Sequence, residues 1–247
     1  MTKYQISTHT ERPELMAPAR ALYDTWPVIA LNDEAANLYW HLLDERFPDF
    51  QFHICDGETI VAEGNGLSVI WDGRPESLPD GGFNTMMRQG MSNFENDVKG
   101  TTFCGVSVTI NEKYQGKGVS KLAVQTMKDL AKKQGLDAVI VPVRPSQKSM
   151  YPLIAMENYV QWRREDGLLF DAWLRVHERL GAKIAKVAPE SMRVSGTVAD
   201  FENWTQMKFP ESGEYIVKGA LNPISIDIEK DEGLYVEPNV WMVHSIG

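Results

Sequence analysis

Cysteine is scarce in this chain. Cys55 and Cys104 are its two thiols, far apart in sequence and set in apolar company, which argues against a disulfide framework and suits reduced core residues. No metal centre is expected. Long apolar runs are missing as well: no stretch could cross a bilayer, and the opening "MTKYQISTHTERPE" has neither the apolar h-region nor the cleavage site of a signal peptide. A soluble cytoplasmic protein with no membrane contact is the expectation. Positive charge is also short, with 25 Lys and Arg against 34 Asp and Glu and a formal net charge of -9. A phosphate backbone is gripped by clustered Lys and Arg, so nucleic acid is not an expected partner. The acidic balance is compatible with a cationic substrate and equally with a plain solubility role.

What is present is enough to build a sizeable core, since 43% of the 247 residues are hydrophobic. A strand is expected over residues 4–9, then helices over 13–23 and 32–44, the second ended near Phe47-Pro48. Alternating segments flank Asp56-Gly57, a strong hairpin pair, so residues 50–55 and 59–71 should pair antiparallel. Residues 73–82 read as loop and 84–99 as a short helix carrying Met86, Met87, Met91 and Phe94. Another strand follows over 101–110. The periodicity then predicts a helix over 119–134, with Val119, Leu122, Ala123, Met127, Leu130 and Ala131 on one face, closed by Gly135. Residues 136–143 lack polar side chains after Asp137, which fits a central strand covered on both faces. Residues 144–167 are irregular, a second periodic helix runs over about 171–180, and the last third reads as strands with one short helix near 200–207. There is no repeat and no linker, so one mixed α/β domain over residues 1–247 is expected.

The stretch "VTINEKYQGKGVSKLAVQ" places glycines where a strand hands over to a helix. A Walker loop needs Gly-Lys followed by Ser or Thr, and "GKGVSK" does not supply it. A dinucleotide fingerprint needs a third glycine where Lys121 stands and an acidic residue ending the next strand, whereas Asp137 begins one. What remains is Gln115-x-x-Gly118-x-Ser120, where backbone N–H groups freed at a helix start can point at a pyrophosphate. Lys117 and Lys121 sit at the positive end of the helix dipole, each unfavourable there by roughly 0.3 to 1 kcal/mol, with no Asp or Glu between Lys113 and Gln125. A bound anion reverses that sign. The bland alternative is a turn glycine with solvated lysines, which would call for an Asp, Ser or Thr cap.

Here the sequence resembles the GNAT superfamily of acyl-CoA N-acyltransferases, whose signature is Gln or Arg, two residues, Gly, one residue, then Gly or Ala. Ser120 departs from the last position but is small. The resemblance implies an α+β fold with a mixed, mostly antiparallel central sheet flanked by helices and splayed at the acyl-CoA site. It implies a core over about 50–186, with insertions about 72–100 and 144–170 and an extended C-terminal β region. It further implies that Gln115, Gly116, Lys117, Gly118, Val119 and Ser120 hold the coenzyme A pyrophosphate, while Val108 and Ile110 pair with the pantetheine arm. The co-substrate would be acetyl-CoA or a related acyl-CoA, and the acceptor a small-molecule amine. A homodimer stays open.

The catalytic groups are less defined. The family's helix after the fifth strand carries a tyrosine that protonates the departing thiolate, and "WLRVHERLGAKI" matches that segment with His177 in the tyrosine's place. His177 also reads as a surface or rim histidine, and Tyr151 is a competing acid. Glu63, Glu112 and His53 are the available bases, each with a structural reading beside it. Aromatics such as Trp71, Phe83, Tyr159, Trp162 and Trp241 could line an acceptor pocket or simply fill the core. The alternative function is a non-catalytic acyl-CoA-binding or scaffold module of the same fold.

Overall fold

The computed structural model describes residues 4–246. Nine strands form one sheet: β1 (Gln5–Thr8), β2 (Phe52–Asp56), β3 (Thr59–Val69), β4 (Thr102–Ile110), β5 (Ala138–Val143), β6 (Lys183–Gly196), β7 (Gly213–Tyr215), β8 (Ile224–Asp227) and β9 (Glu232–Ser245). Along the sheet the order is β1-β2-β3-β4-β5-β9-β8-β7, with β6 also on β9. Among the described residues β4 and β5 make the one parallel pairing, and the other ladders are antiparallel. The main helices are α1 (Glu34–Tyr39), α2 (Gly82–Glu95), α3 (Val119–Lys133), α4 (Ala172–Arg179) and α5 (Val198–Thr205). None is long and apolar enough to cross a membrane.

Local sequence explains most boundaries. Gly57 turns the β2–β3 hairpin in the left-handed region at φ 61°, which a side chain would resist. The apolar face of α3 puts Ala123, Met127 and Ala131 against the sheet, and β4 comes close enough that a Cβ on Gly105 would stand 3.0 Å from Met127 Sδ. Cys55 and Cys104 are both free and buried, as their company suggests, and burial pushes both thiols up.

Two expected helices are broken. The span 13–23 becomes a 3-10 turn Pro13–Leu15, four α residues Met16–Ala19 and a 3-10 segment Arg20–Thr25. Pro18 sits inside it, and proline removes a helical donor while its ring crowds the preceding turn. The span 32–44 begins as α1, tightens to a 3-10 turn at Trp40–Leu42 and resumes at Leu43–Arg46, with Leu43 buried. These short pieces lie beside the sheet instead of forming two straight rods. Asp33 starts α1, its Oδ1 accepting from Ala35 and Ala36 N–H while its Oδ2 accepts from Arg193 N–H on β6 at 2.8 Å.

The core lies on both sheet faces. One side holds Phe52, Phe103, Met127, Leu174 and Met242 under α3 and α4; the other holds Leu67, Met87, Met91 and Trp241 under α1 and α2. Position on the sheet matters most at its centre. β4 and β5 pair only over Thr102 to Cys104 with Ala138 to Ile140, and beyond that point they part.

Candidate active site

Where β4 and β5 part, a cavity of about 760 Å³ opens. Its wall combines the far half of β4, the end of β5, one face of α4, the loop after β4 and the broken N-terminal helices. The loop is shaped by the sequence itself. Asn111 Oδ1 accepts from Lys113 N–H at 3.1 Å to start the 3-10 turn Glu112–Tyr114, and Gly116 and Gly118 follow with φ of 73° and 83°. Gly118 is the N-cap of α3, no side chain caps the first turn, and no acidic residue stands in it. A Cβ on either glycine would meet nothing within 4 Å, so both face open space. An uncapped helix start with approachable backbone and two nearby lysines fits an anionic ligand.

Of the residues expected at the donor site, Val108, Ile110, Gln115, Gly116 and Ser120 line the cavity. Lys117, Gly118 and Val119 belong to the same turn but serve it differently. Gly118 supplies the left-handed cap, the buried Val119 anchors the helix, and Lys117 Nζ lies 4.9 Å from the Tyr114 ring centre. Every residue from Val106 to Ile110 contributes to the wall. A strand free on one side can offer residues from both pleats, which a fully paired strand cannot.

The expected catalytic side chains lie elsewhere. His177 is fully buried, its Nδ1 2.9 Å from His244 Nε2 on β9, and its ring packs against Trp173 at 4.5 Å. Burial and then the second imidazole hold His177 well below the ordinary histidine range, and burial holds His244 at about 4. Both rings are neutral at pH 7. The helical period explains the placement: Trp173 and Val176 turn toward the cavity, and one residue further His177 points into the core. Tyr151 packs into an aromatic group with Tyr159, Trp162 and Phe170, the Trp162 ring 4.9 Å away. Glu63 is buried between His9 and His53, and burial raises its carboxyl. Glu112 sits in the turn beside the loop, outside the wall.

Other wall residues were not singled out by sequence. Tyr23, Trp26, Trp40, Ser107, Thr109 and Tyr114 all face the cavity, and Trp26 Nε1 donates to Thr109 Oγ1 at 2.8 Å. Tyr114 had a signal, since it directly precedes Gln115 in the loop. Tyr23, Trp26 and Trp40 had none, because broken helices carry no period to place them. Of the aromatics expected at a pocket, Phe83 does line the wall, while Trp241 and Tyr159 are core. Arg144 also lines it, held by Glu237 at 2.9 Å and by the Gly219 carbonyl at 2.6 Å.

A single buried carboxylate secures this wall from behind. Asp171 caps α4 by accepting from Trp173 and Leu174 N–H, and also accepts from Ser146 and Gln147 N–H and from the Tyr159 hydroxyl. It thereby ties the segment after β5 to the start of α4.

No family model matches the chain. The sequence is 29% identical over 275 residues to the arginine N-acetyltransferase avaD of Aspergillus versicolor, covering 98% of this chain and 94% of that one. Among solved structures, the loading GNATL domain of CurA from Lyngbya majuscula superposes with a TM-score of 0.62 at 18% identity, over 98% of both chains. The GphF GNAT-like decarboxylase, solved in complex with isobutyryl-CoA, does so with a TM-score of 0.57 at 13% identity, over 98% of this chain and 100% of that one. The two structures share the fold; the sequence relative shares nearly the whole length. In fold the chain is like these GNAT domains, and over nearly its full length its sequence is similar to a protein named as an arginine N-acetyltransferase.

Proposed function

We propose that this protein transfers an acyl group, acetyl in the first instance, from acyl-CoA to a nitrogen of a small arginine-like molecule, by direct attack while both substrates are bound. The observation that carries the reading is one cavity lined both by the glycine turn at the start of α3 and by Trp26 and Trp40. Donor and acceptor then meet without a covalent enzyme intermediate.

The N–H groups of the turn and the first turn of α3 hold the pyrophosphate, with Lys117 and Lys121 adding charge. The free edge of β4 at Val108 and Ile110 offers backbone to the pantetheine arm. On the acceptor side no Asp or Glu is among the described lining residues. A cationic acceptor therefore rests on indole faces, which attract cations by roughly 0.5 to 2 kcal/mol. Attack forms the C–N bond and breaks the C–S bond; the thiolate takes a proton from a phenol, and the phenolate regains one from the nitrogen, relayed through the cavity hydroxyls. Tyr114 and Tyr23 are the phenols that line the wall. Burial first, and then the neighbouring Glu63 carboxylate, raise the Tyr23 hydroxyl well above its ordinary value, which makes it a poor proton donor, and Tyr114 stands next to the glycine turn.

A non-catalytic acyl-CoA-binding module is not favoured, because the likeness to a protein named as an N-acetyltransferase runs through 98% of the chain. Release of free CoA thiol from acetyl-CoA, followed with arginine, arginine-containing dipeptides and simple amines, decides between them. Thiol release that depends on the amine supports transfer, with Tyr114→Phe slowing it at least tenfold. Release that is the same with and without any amine overturns the proposal.

A further inference from the structure

Behind Tyr23 of the cavity wall, the core contains a second polar cluster. His9 follows β1, and its N–H donates to the Gln51 carbonyl at 3.0 Å, which fixes the backbone beside β2. His53 on β2 and Glu63 on β3 are direct cross-strand partners, so their side chains rise from the same face of the sheet. His9 and His53 stack, with ring centres 4.3 Å apart and planes 11° from parallel. All three residues are 2% exposed or less.

The cluster is short of partners. Both ring nitrogens of His53, Nε2 of His9, Oε2 of Glu63 and the side-chain nitrogen of the adjacent Asn65 are buried without a hydrogen bond. Each such group costs about 1–3 kcal/mol when left unmade, so five together in one place call for something that binds them. The geometry says what kind of thing. Glu63 Oε1 lies 3.7 Å from His9 Nε2 and 3.8 Å from His53 Nε2, and one ligand atom from each residue falls within 4.8 Å of the others. Ligands of a tetrahedral zinc ion stand about 3.3 Å apart, given metal-ligand distances near 2.0–2.1 Å. Behind His9, Asp44 Oδ1 lies 2.8 Å from Nδ1, the place where a metal-bound imidazole keeps its orienting carboxylate.

We propose that His9, His53 and Glu63 form a binding site for a divalent transition-metal ion of the zinc class, with Asp44 as the carboxylate behind His9. Two imidazoles and one carboxylate suit zinc, cobalt or nickel better than magnesium or calcium, which take oxygen ligands. Neutral imidazole is the ligating form, so binding competes with protons on His9 and His53. Binding turns the stacked rings about their Cβ–Cγ bonds until both Nε2 lone pairs converge on the ion, a rotation about a broad torsion. The ion would join the residue after β1 to β2 and β3 and so clip the N-terminal strand onto the sheet. This site does not depend on the acyl-transfer reading.

The test uses the full chain with any affinity tag removed. Metal content is measured after purification, and the chelator-treated protein is titrated with Zn²⁺ and with Co²⁺. The expected result is one equivalent of metal, visible Co²⁺ ligand-field bands and a rise in Tm, with His53→Gln or His9→Gln abolishing the bands. Asp44→Asn should weaken binding about 10- to 100-fold while leaving the bands. Absence of stoichiometric Zn²⁺ and Co²⁺ binding in the unaltered protein overturns the proposal whether or not the variants fold. So does binding that survives undiminished in the His9→Gln, His53→Gln double variant.

Discussion

The two walls of the cavity are made in different ways. The wall proposed for the donor, from Val106 on β4 through the glycine turn into α3, is one unbroken piece of chain that would work through backbone groups. The wall proposed for the acceptor is assembled from Tyr23, Trp26 and Trp40, from Arg144 after β5, and from Met192 and Asn239 on β6 and β9. Its working parts are side chains brought together from most of the sequence. Backbone recognition by a helix start tolerates changes of side chain; an assembled wall depends on every contact that holds its pieces. α4 belongs to both, held to the segment after β5 by Asp171 and to β9 by His177 and His244.

That difference can be pressed experimentally, beginning with the largest effect. Asp171→Ala removes the acceptor of several buried N–H groups and of the Tyr159 hydroxyl at once, and should cost about 4 kcal/mol of stability, read by urea unfolding. A cost under about 1 kcal/mol would show that the assembled wall does not rest on this carboxylate. Acid should loosen α4 next. His244 is held at about 4 in the folded state against an ordinary value near 6.5, so its contribution is fully present above pH 6.5 and is lost between pH 6.5 and 4 as the unfolded chain takes up protons. The loss is about 3 kcal/mol, and His244→Gln should flatten that part of the stability profile.

Gly118→Glu places a charged side chain on the left-handed cap of α3 and should weaken CoA binding about 100-fold by calorimetry, a penalty near 2.7 kcal/mol. Its effect on acceptor affinity should be small. Trp26→Ala should do the reverse, raising the acceptor KM about tenfold while CoA affinity stays within a factor of three. Equal losses for both substrates in either variant would mean that the walls are not separable.

Much of the fold was legible from local pattern. The hairpin at Asp56-Gly57, the α3 period and the apolar run of β5 each announce themselves within a few residues, because a turn, an amphipathic face and a doubly covered strand are short-range properties. The broken segments near Pro18 and Trp40 were less legible, since there tertiary packing overrides a weak helical period. His177 shows the limit within a site. Its spacing from Gly181 fits the family pattern, yet one residue's rotation around α4 separates a cavity-facing side chain from a core one.

By itself, the sequence determined the glycine turn and its strand, helix, strand setting, because backbone conformation there follows from glycines and a helix period within some thirty residues. The tertiary structure alone decided the acceptor wall and the pairing of His9 with His53 and Glu63. Such contacts join residues far apart in the chain, and their side chains meet only through the register of β1, β2 and β3 and the parting of β4 from β5.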